Sequence, residues 1–222
     1  MRILHCADLH ANDGWFRWLI QESPGYDLVC IAGDLLDLSP NRAIDEQLKR
    51  VPEYLRNVKA PLAICSGNHD SLPGGGARLE HAGWIQELRG VGVWVDGDPF
   101  ELGGFRFRCV PWMSQMVEAR PDEIWVVHSP PDRSRTGMVR GGADFGDFSL
   151  GEQFRAGLGP WLALAGHVHD PQSWRAKVGR TWVLNPGCQN KGKLPQHIQV
   201  DLERARAIWH GADGTEEPAG LR

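Results

Sequence analysis

The chain has 222 residues, 41% of them hydrophobic and 23% charged, with a formal net charge of −4. Length and composition are those of one ordinary globular domain, and no apolar run approaches the length of a bilayer span. The acidic balance leaves no global basic footprint of the kind that non-specific nucleic-acid binding needs, although an anionic substrate remains compatible if bound cations supply local positive charge.

In chain order, the first apolar run, Ile3-Leu4, meets Asp8 too soon to form a signal-peptide core, so a cytoplasmic protein is expected. Residues 15–21 and 43–56 carry apolar side chains at helical spacing, with Pro52 expected to shorten or kink the second helix. Between and after them, short apolar runs at 28–32, 61–65 and 91–95 have strand lengths, and 78–89 is a third helical stretch. Further strand-like runs follow at 105–110, 124–127, 161–165, 181–184 and 197–200, with a helix over 150–158 capped by Ser149. The first half therefore reads as βα units and the second as a more antiparallel region, together an α/β sandwich formed by residues 1–210. Residues 211–222 are polar and aperiodic and are expected to fray. Cys6, Cys30, Cys65, Cys109 and Cys188 are scattered, odd in number and form no C-x-x-C pair, which points to small buried side chains rather than disulfides or a thiolate zinc site.

The chemistry collects where strands end. Five apolar runs lead directly into Asp8-Leu9-His10, Gly33-Asp34-Leu35-Leu36-Asp37, Gly67-Asn68-His69-Asp70, His128 and Gly166-His167-Val168-His169. Groups at C-terminal strand ends project into a common crevice in α/β sheets. D-x-H and H-x-H place two candidate ligands on one side of an extended chain, and the glycines allow the chain to turn sharply beside them. Mixed carboxylate, imidazole and amide donors suit hard or borderline divalent ions. Any one of these motifs has a bland structural reading; five in order, each after a strand, do not.

Taken together, D-x-H, G-D-x-x-D, G-N-H-D, a later His and G-H-x-H resemble the calcineurin-like metallophosphoesterases, over residues 8–169 and on to the Asn185-Pro186-Gly187 turn. The resemblance implies a four-layer α/β/β/α sandwich of two mixed sheets flanked by helices. It also implies two divalent ions, with Mn favoured over Fe, Zn, Ni or Mg. One would be held by Asp8, His10, Asp34 and His169, and the other by Asp34, Asn68, His128 and His167, with Asp34 shared. His69 would assist the leaving group and Asp37 would orient His69. The implied activity is phosphoester hydrolysis by a hydroxide that the two metals activate, with a phosphodiesterase acting on a small soluble organic phosphate as the leading subtype. A DNA repair-type nuclease and a non-catalytic scaffold on the same fold are the alternatives; no membrane partner is expected. Leu38 and Ser66 depart from the protein serine/threonine phosphatase pattern, which carries Arg at both places. Weaker signals are Asn12-Asp13-Gly14, Trp15, Trp18, Trp112 and Trp174 near the site loops, Arg133, Arg135 and Arg140 after His128, and a Gly-rich loop at 73–76, each with a plain loop or packing role as the simpler account.

Overall fold

Alternation along the first strands sorts the core into layers. In β1 (Arg2–Cys6) and β2 (Leu28–Ala32), Leu4, Cys6, Val29 and Ile31 face one way, while Ile3, Leu28, Cys30 and Ala32 face the other. The first set packs with Ile64 of β3 (Leu62–Cys65) beneath α1 (Asp13–Glu22) and α2 (Ile44–Asn57), which contribute Trp15, Phe16, Leu19, Val51 and Leu55. The second set meets Phe107 of β6 (Phe105–Val110), Ile124 and Val126 of β7 (Glu123–Val127) and Leu164 of β8 (Leu162–Leu164). The intervening residues of β7, Trp125 and Val127, turn outward against Phe154 of α4 (Phe148–Arg155). The result is helix, sheet, sheet, helix in the computed structural model, which describes residues 1–40, 43–72, 81–114, 117–189 and 192–222.

The remaining strands are β4 (Val93–Trp94), β5 (Pro99–Leu102), β9 (Arg175–Val178), β10 (Thr181–Leu184), β11 (His197–Asp201), β12 (Arg206–His210) and β13 (Glu216–Gly220). The first sheet has the order β13-β12-β11-β1-β2-β3-β4 and the second β5-β6-β7-β8-β10-β9. Strands β1 to β4 are mutually parallel, as are β6, β7, β8 and β10, while β11, β12 and β13 in the first sheet and β5 and β9 in the second add antiparallel. The two parallel cores are what bring the C-terminal ends of β1, β2, β3, β7 and β8 to one side of the sandwich. Among the described residues no helix is long and apolar enough to cross a membrane.

Several sequence expectations are corrected. Residues 91–95 contribute only the two-residue β4 (Val93–Trp94). Four strands carried no apolar-run signal: β5 (Pro99–Leu102), β9 (Arg175–Val178), β12 (Arg206–His210) and β13 (Glu216–Gly220). The last of these lies in the segment expected to fray. It pairs antiparallel with β12, and the chain beyond it buries Leu221, whose N–H donates to Ala205 O at 2.8 Å. Pro52 does not shorten α2, which runs on to Asn57. The cap of α4 is Asp147, which accepts the Leu150 N–H at 2.8 Å, two residues before the expected Ser149. The predicted helix over 78–89 begins outside the described residues, and the part described holds the single turn α3 (Gly83–Gln86). The loop at 73–76 lies outside them altogether. All five cysteines are buried, and none is in a disulfide.

Candidate metal centre

The motif residues leave their strands through backbone that favours glycine. Asp8, His10, Asp34 and His167 have φ of 55°, 43°, 52° and 67°. A side-chain-bearing residue in this region costs about 1–2 kcal/mol, and the surrounding hydrogen bonds hold each in place. Asp8 N–H donates to Gly33 O and His10 N–H to Asp34 O, both at 3.0 Å, and Gly166 N–H donates to His128 O at 2.8 Å. The loop after β1 is therefore tied to that after β2, and the loop after β8 to that after β7, before any ligand is considered.

Three groups of candidate donor atoms converge, each within 4.8 Å: Asp8, His10 and His169; His10, Asp34 and His69; Asp34, His128 and His167. His10 Nε2 and His169 Nε2 are 3.2 Å apart, and His128 Nε2 lies 3.1 Å from Asn68 Oδ1 and 3.4 Å from Asp34 Oδ1. Donors about 2.1 Å from a common cation sit roughly 3.0–3.4 Å from one another, so these separations fit a shared ion. The tautomers fit as well. His128 Nδ1 is within 2.7 Å of Ala32 O and His10 Nδ1 within 3.2 Å of Leu36 O, so each Nδ1 carries the proton and Nε2 faces the cluster. Asp34 belongs to two of the three groups, and His10 to two as well.

His69 stands apart from its neighbours. Its ring meets that of His10 edge-on at 4.7 Å, its Nε2 is 4.0 Å from Asp34 Oδ2, and its own N–H donates to Asp34 Oδ1 at 2.8 Å. Nδ1 accepts the Leu38 N–H at 3.3 Å, which leaves the proton on Nε2. Asp37, expected to orient this ring, precedes the residue whose N–H meets Nδ1, and its own carboxylate accepts the Ser39 N–H at 2.9 Å.

Electrostatics follow from burial. Burial alone would raise the Asp34 pKa, but His128 and the His69 N–H outweigh it and hold the carboxyl well below its usual range. Burial likewise opposes charge on His128, and Asp34 overrides it, raising that imidazole to about 9. In the protein without metal, a proton on His128 Nε2 thus balances the charge of Asp34, and a cation bound there must displace it. His167 is lowered to about 4 by burial and by His128, and His10 is lowered chiefly by burial. His169 is raised, first by its hydrogen bond to Asp8. Two of the imidazoles are thus kept neutral by burial and by neighbouring imidazoles, and two are paired with carboxylates.

The supporting residues were mostly missed from sequence. Asp70, fully buried, accepts N–H groups from Leu35, Leu36 and Gly67 at 3.0, 3.1 and 2.8 Å and so staples the loop after β2 to that after β3. Its place in G-N-H-D was visible, yet only the fold shows what it holds. Asn185 Nδ2 donates to Val168 O at 3.0 Å and Thr136 O at 3.2 Å, bracing the H-x-H loop against the segment after His128. Trp112 lies 5.4 Å from the His128 ring and 5.5 Å from that of His167, placed by its N–H bond to Ser66 Oγ. Trp18 packs on His197, and Trp174 is buried, so neither is free to stack a ligand. Arg133, Arg135 and Arg140 are exposed, with Arg140 paired to Asp170 at 3.1 Å. Beside the donor groups opens a cleft of about 570 Å³ whose lining includes His10, His69, His169, Asp13, Asp37 and Arg50.

A profile of the calcineurin-like phosphoesterase family matches residues 1–171, and the chain belongs to that family. A probable glycerophosphodiester phosphodiesterase, GpdQ, of Arcobacter nitrofigilis is 26% identical over 165 residues, covering 66% of this chain and 58% of that protein's length. Among solved structures, an archaeal phosphodiesterase aligns with 99% of both chains at a TM-score of 0.56 and 17% identity. The phosphoesterase Yfce from E. coli aligns with 100% of both at 0.53 and 14%. The purple acid phosphatase PPD1 of yellow lupin aligns with 98% of this chain and 52% of its own at 0.61 and 14%. These structural likenesses establish the fold, two mixed sheets with flanking helices.

Proposed function

We propose that the chain is a metal-dependent hydrolase of a small organic phosphodiester, acting in the cytoplasm. The observation that carries this reading is the chain of three overlapping donor groups, the first two sharing His10 and the last two sharing Asp34, with the Nε2–H of His69 in an open cleft beside them. Asp8, His10, Asp34 and His169 would hold one divalent ion and Asp34, Asn68, His128 and His167 the other, with Mn favoured on the family resemblance and the mixed donors open to Fe, Zn, Ni or Mg. When bound, such ions acidify water and place positive charge at the phosphoryl oxygens.

The chain's own groups do the rest. Ala32 O and Leu36 O keep His128 and His10 in the orientation and tautomer that present Nε2. Asp70 fixes the spacing of the loops that carry Asp34 and Asn68. His69, with Nδ1 occupied by Leu38 N–H, offers the Nε2 proton to the departing alkoxide, a contribution typically worth about 10²–10⁴ in rate. The alcohol released is therefore the one seated in the cleft that His69 lines. The diester preference draws support from the named activity of the Arcobacter relative, and the absence of a C-x-x-C pair or disulfide among the five buried thiols suits a reducing compartment.

The test is hydrolysis of paired chromogenic phosphomonoesters and phosphodiesters by metal-stripped protein with Mn restored, alongside Asp34→Asn. Turnover that requires Mn, vanishes in the variant and favours the diester is expected. No turnover of either ester, with fewer than two equivalents of metal retained, overturns the reading.

A further inference from the structure

The cleft lining also holds an ion pair that the metal chemistry does not use. Asn12 Oδ1 caps α1 through the Gly14 and Trp15 N–H groups, which fixes Asp13 in the first turn. Arg50 comes from the middle of α2, and its Nε lies 2.8 Å from Asp13 Oδ1. The two helices are held in register by the stacked rings of Phe16 and Tyr54, 5.5 Å apart, so the pair is presented by a rigid base. The side chains are 37% and 38% exposed. An ion pair that open to solvent adds little to stability, and both residues line the cleft together with His69.

We propose that Arg50, oriented by Asp13, is a specificity-determining residue that binds the hydroxyl groups of a small polyol leaving group. This rests on the hydrolase reading above and names the alcohol half of its substrate. Three features select that chemistry. A guanidinium carries five N–H donors; Arg50 Nε lies beside Asp13 Oδ1 without hydrogen-bond alignment, and among the described residues neither Nε nor the Nη groups make a hydrogen bond. The adjacent carboxylate supplies acceptors, so the pair offers donors and acceptors side by side, as vicinal hydroxyls require. The pair is also close to neutral, which gives a second phosphate or carboxylate on the substrate little attraction, while its polarity disfavours an alkyl or aryl group. A cleft of about 570 Å³ is in the range that takes a small ligand whole.

The experiment compares glyceryl methyl phosphate with propyl methyl phosphate, which lacks both hydroxyls, using the full chain with Mn and following alcohol release. The glyceryl ester is expected to be favoured by about 10- to 100-fold in kcat/KM, chiefly through KM. Arg50→Ala should bring the ratio toward unity and Arg50→Lys should restore part of it. Equal rates on the two esters with the unaltered protein, or an Arg50→Ala variant that slows both alike, would overturn the assignment. If neither ester is hydrolysed, the hydrolase reading fails, and calorimetry still decides on Arg50. Tighter binding of glycerol 3-phosphate than of propyl phosphate, lost in Arg50→Ala, supports the contact; equal binding of the two removes it.

Discussion

Gly67→Ala should disable the metal centre while leaving every donor atom in the sequence. A Cβ built at Gly67 falls on Asp34 Oδ1, 2.5 Å from Asp34 N and 2.8 Å from His128 Cε1. Ordinary contact begins near 3.5 Å, so the loops after β2 and β3 would have to separate by about 1 Å. Asp34 cannot yield alone, because the His69 N–H and His128 hold its carboxylate. Donor geometry tolerates only about 0.5 Å of displacement, so metal affinity should fall by at least the roughly 10- to 100-fold seen when supporting groups are lost. Overpacking of this kind costs about 1–3 kcal/mol, or roughly 2–12 °C in Tm for a chain of this size. Gly25→Ala is the control, since its Cβ would meet nothing within 4 Å. Calorimetric titration with Mn and thermal unfolding of both variants check the argument. A Gly67→Ala protein that binds two equivalents as tightly as the parent, with an unchanged Tm, would show that the close approach of the loops is not what sets the site.

Two further outcomes follow from particular side chains. His69→Ala should keep its metal stoichiometry and lose about 10²–10⁴ in kcat on an alkyl ester, and much less on a nitrophenyl ester whose leaving group needs no proton; an equal loss on both would remove the general-acid role. Asp96, nearly buried, accepts the Ser66 N–H at 2.8 Å, and burial raises its carboxyl from 3.8 to about 6. The native state therefore binds more protons than the unfolded chain between those values, so stability falls as pH rises through that window and stays lower above it. Asp96→Asn keeps the acceptor and removes the charge; urea unfolding should show it more stable than the parent at pH 7, by at most about 3 kcal/mol, and equal to it at pH 4 and below. A variant destabilised equally at both pH values would refute this account.

The reading of the chain from its residues succeeded where chemistry and period coincide. Strands β1, β2, β7 and β10 are largely runs of apolar residues because parallel or central strands are buried on both faces, and that leaves a plain mark in composition. Edge strands leave none. β9 and β13 are polar, are covered on one face at most and are held by backbone pairing to β10 and β12, so nothing local announces them. Leu221 gave the only hint that the C-terminal segment returns to the core.

For the site, residue types and order were enough to nominate Asp8, His10, Asp34, Asn68, His69, His128, His167 and His169, because donor chemistry is written in side-chain identity. What tertiary structure alone decided is distance and orientation. That Asp34 belongs to two groups of donors depends on how β2 sits between β1 and β3 and opposite β7, relations spread over more than a hundred residues. That Leu38 rather than Asp37 meets His69 Nδ1 depends on one peptide's direction. The Asp13–Arg50 pair, thirty-seven positions apart on two helices, becomes part of the cleft lining only through helix packing. Identity of the donors is local information; their convergence is a property of the folded chain, because no short-range rule fixes the separation of groups brought together by non-local contacts.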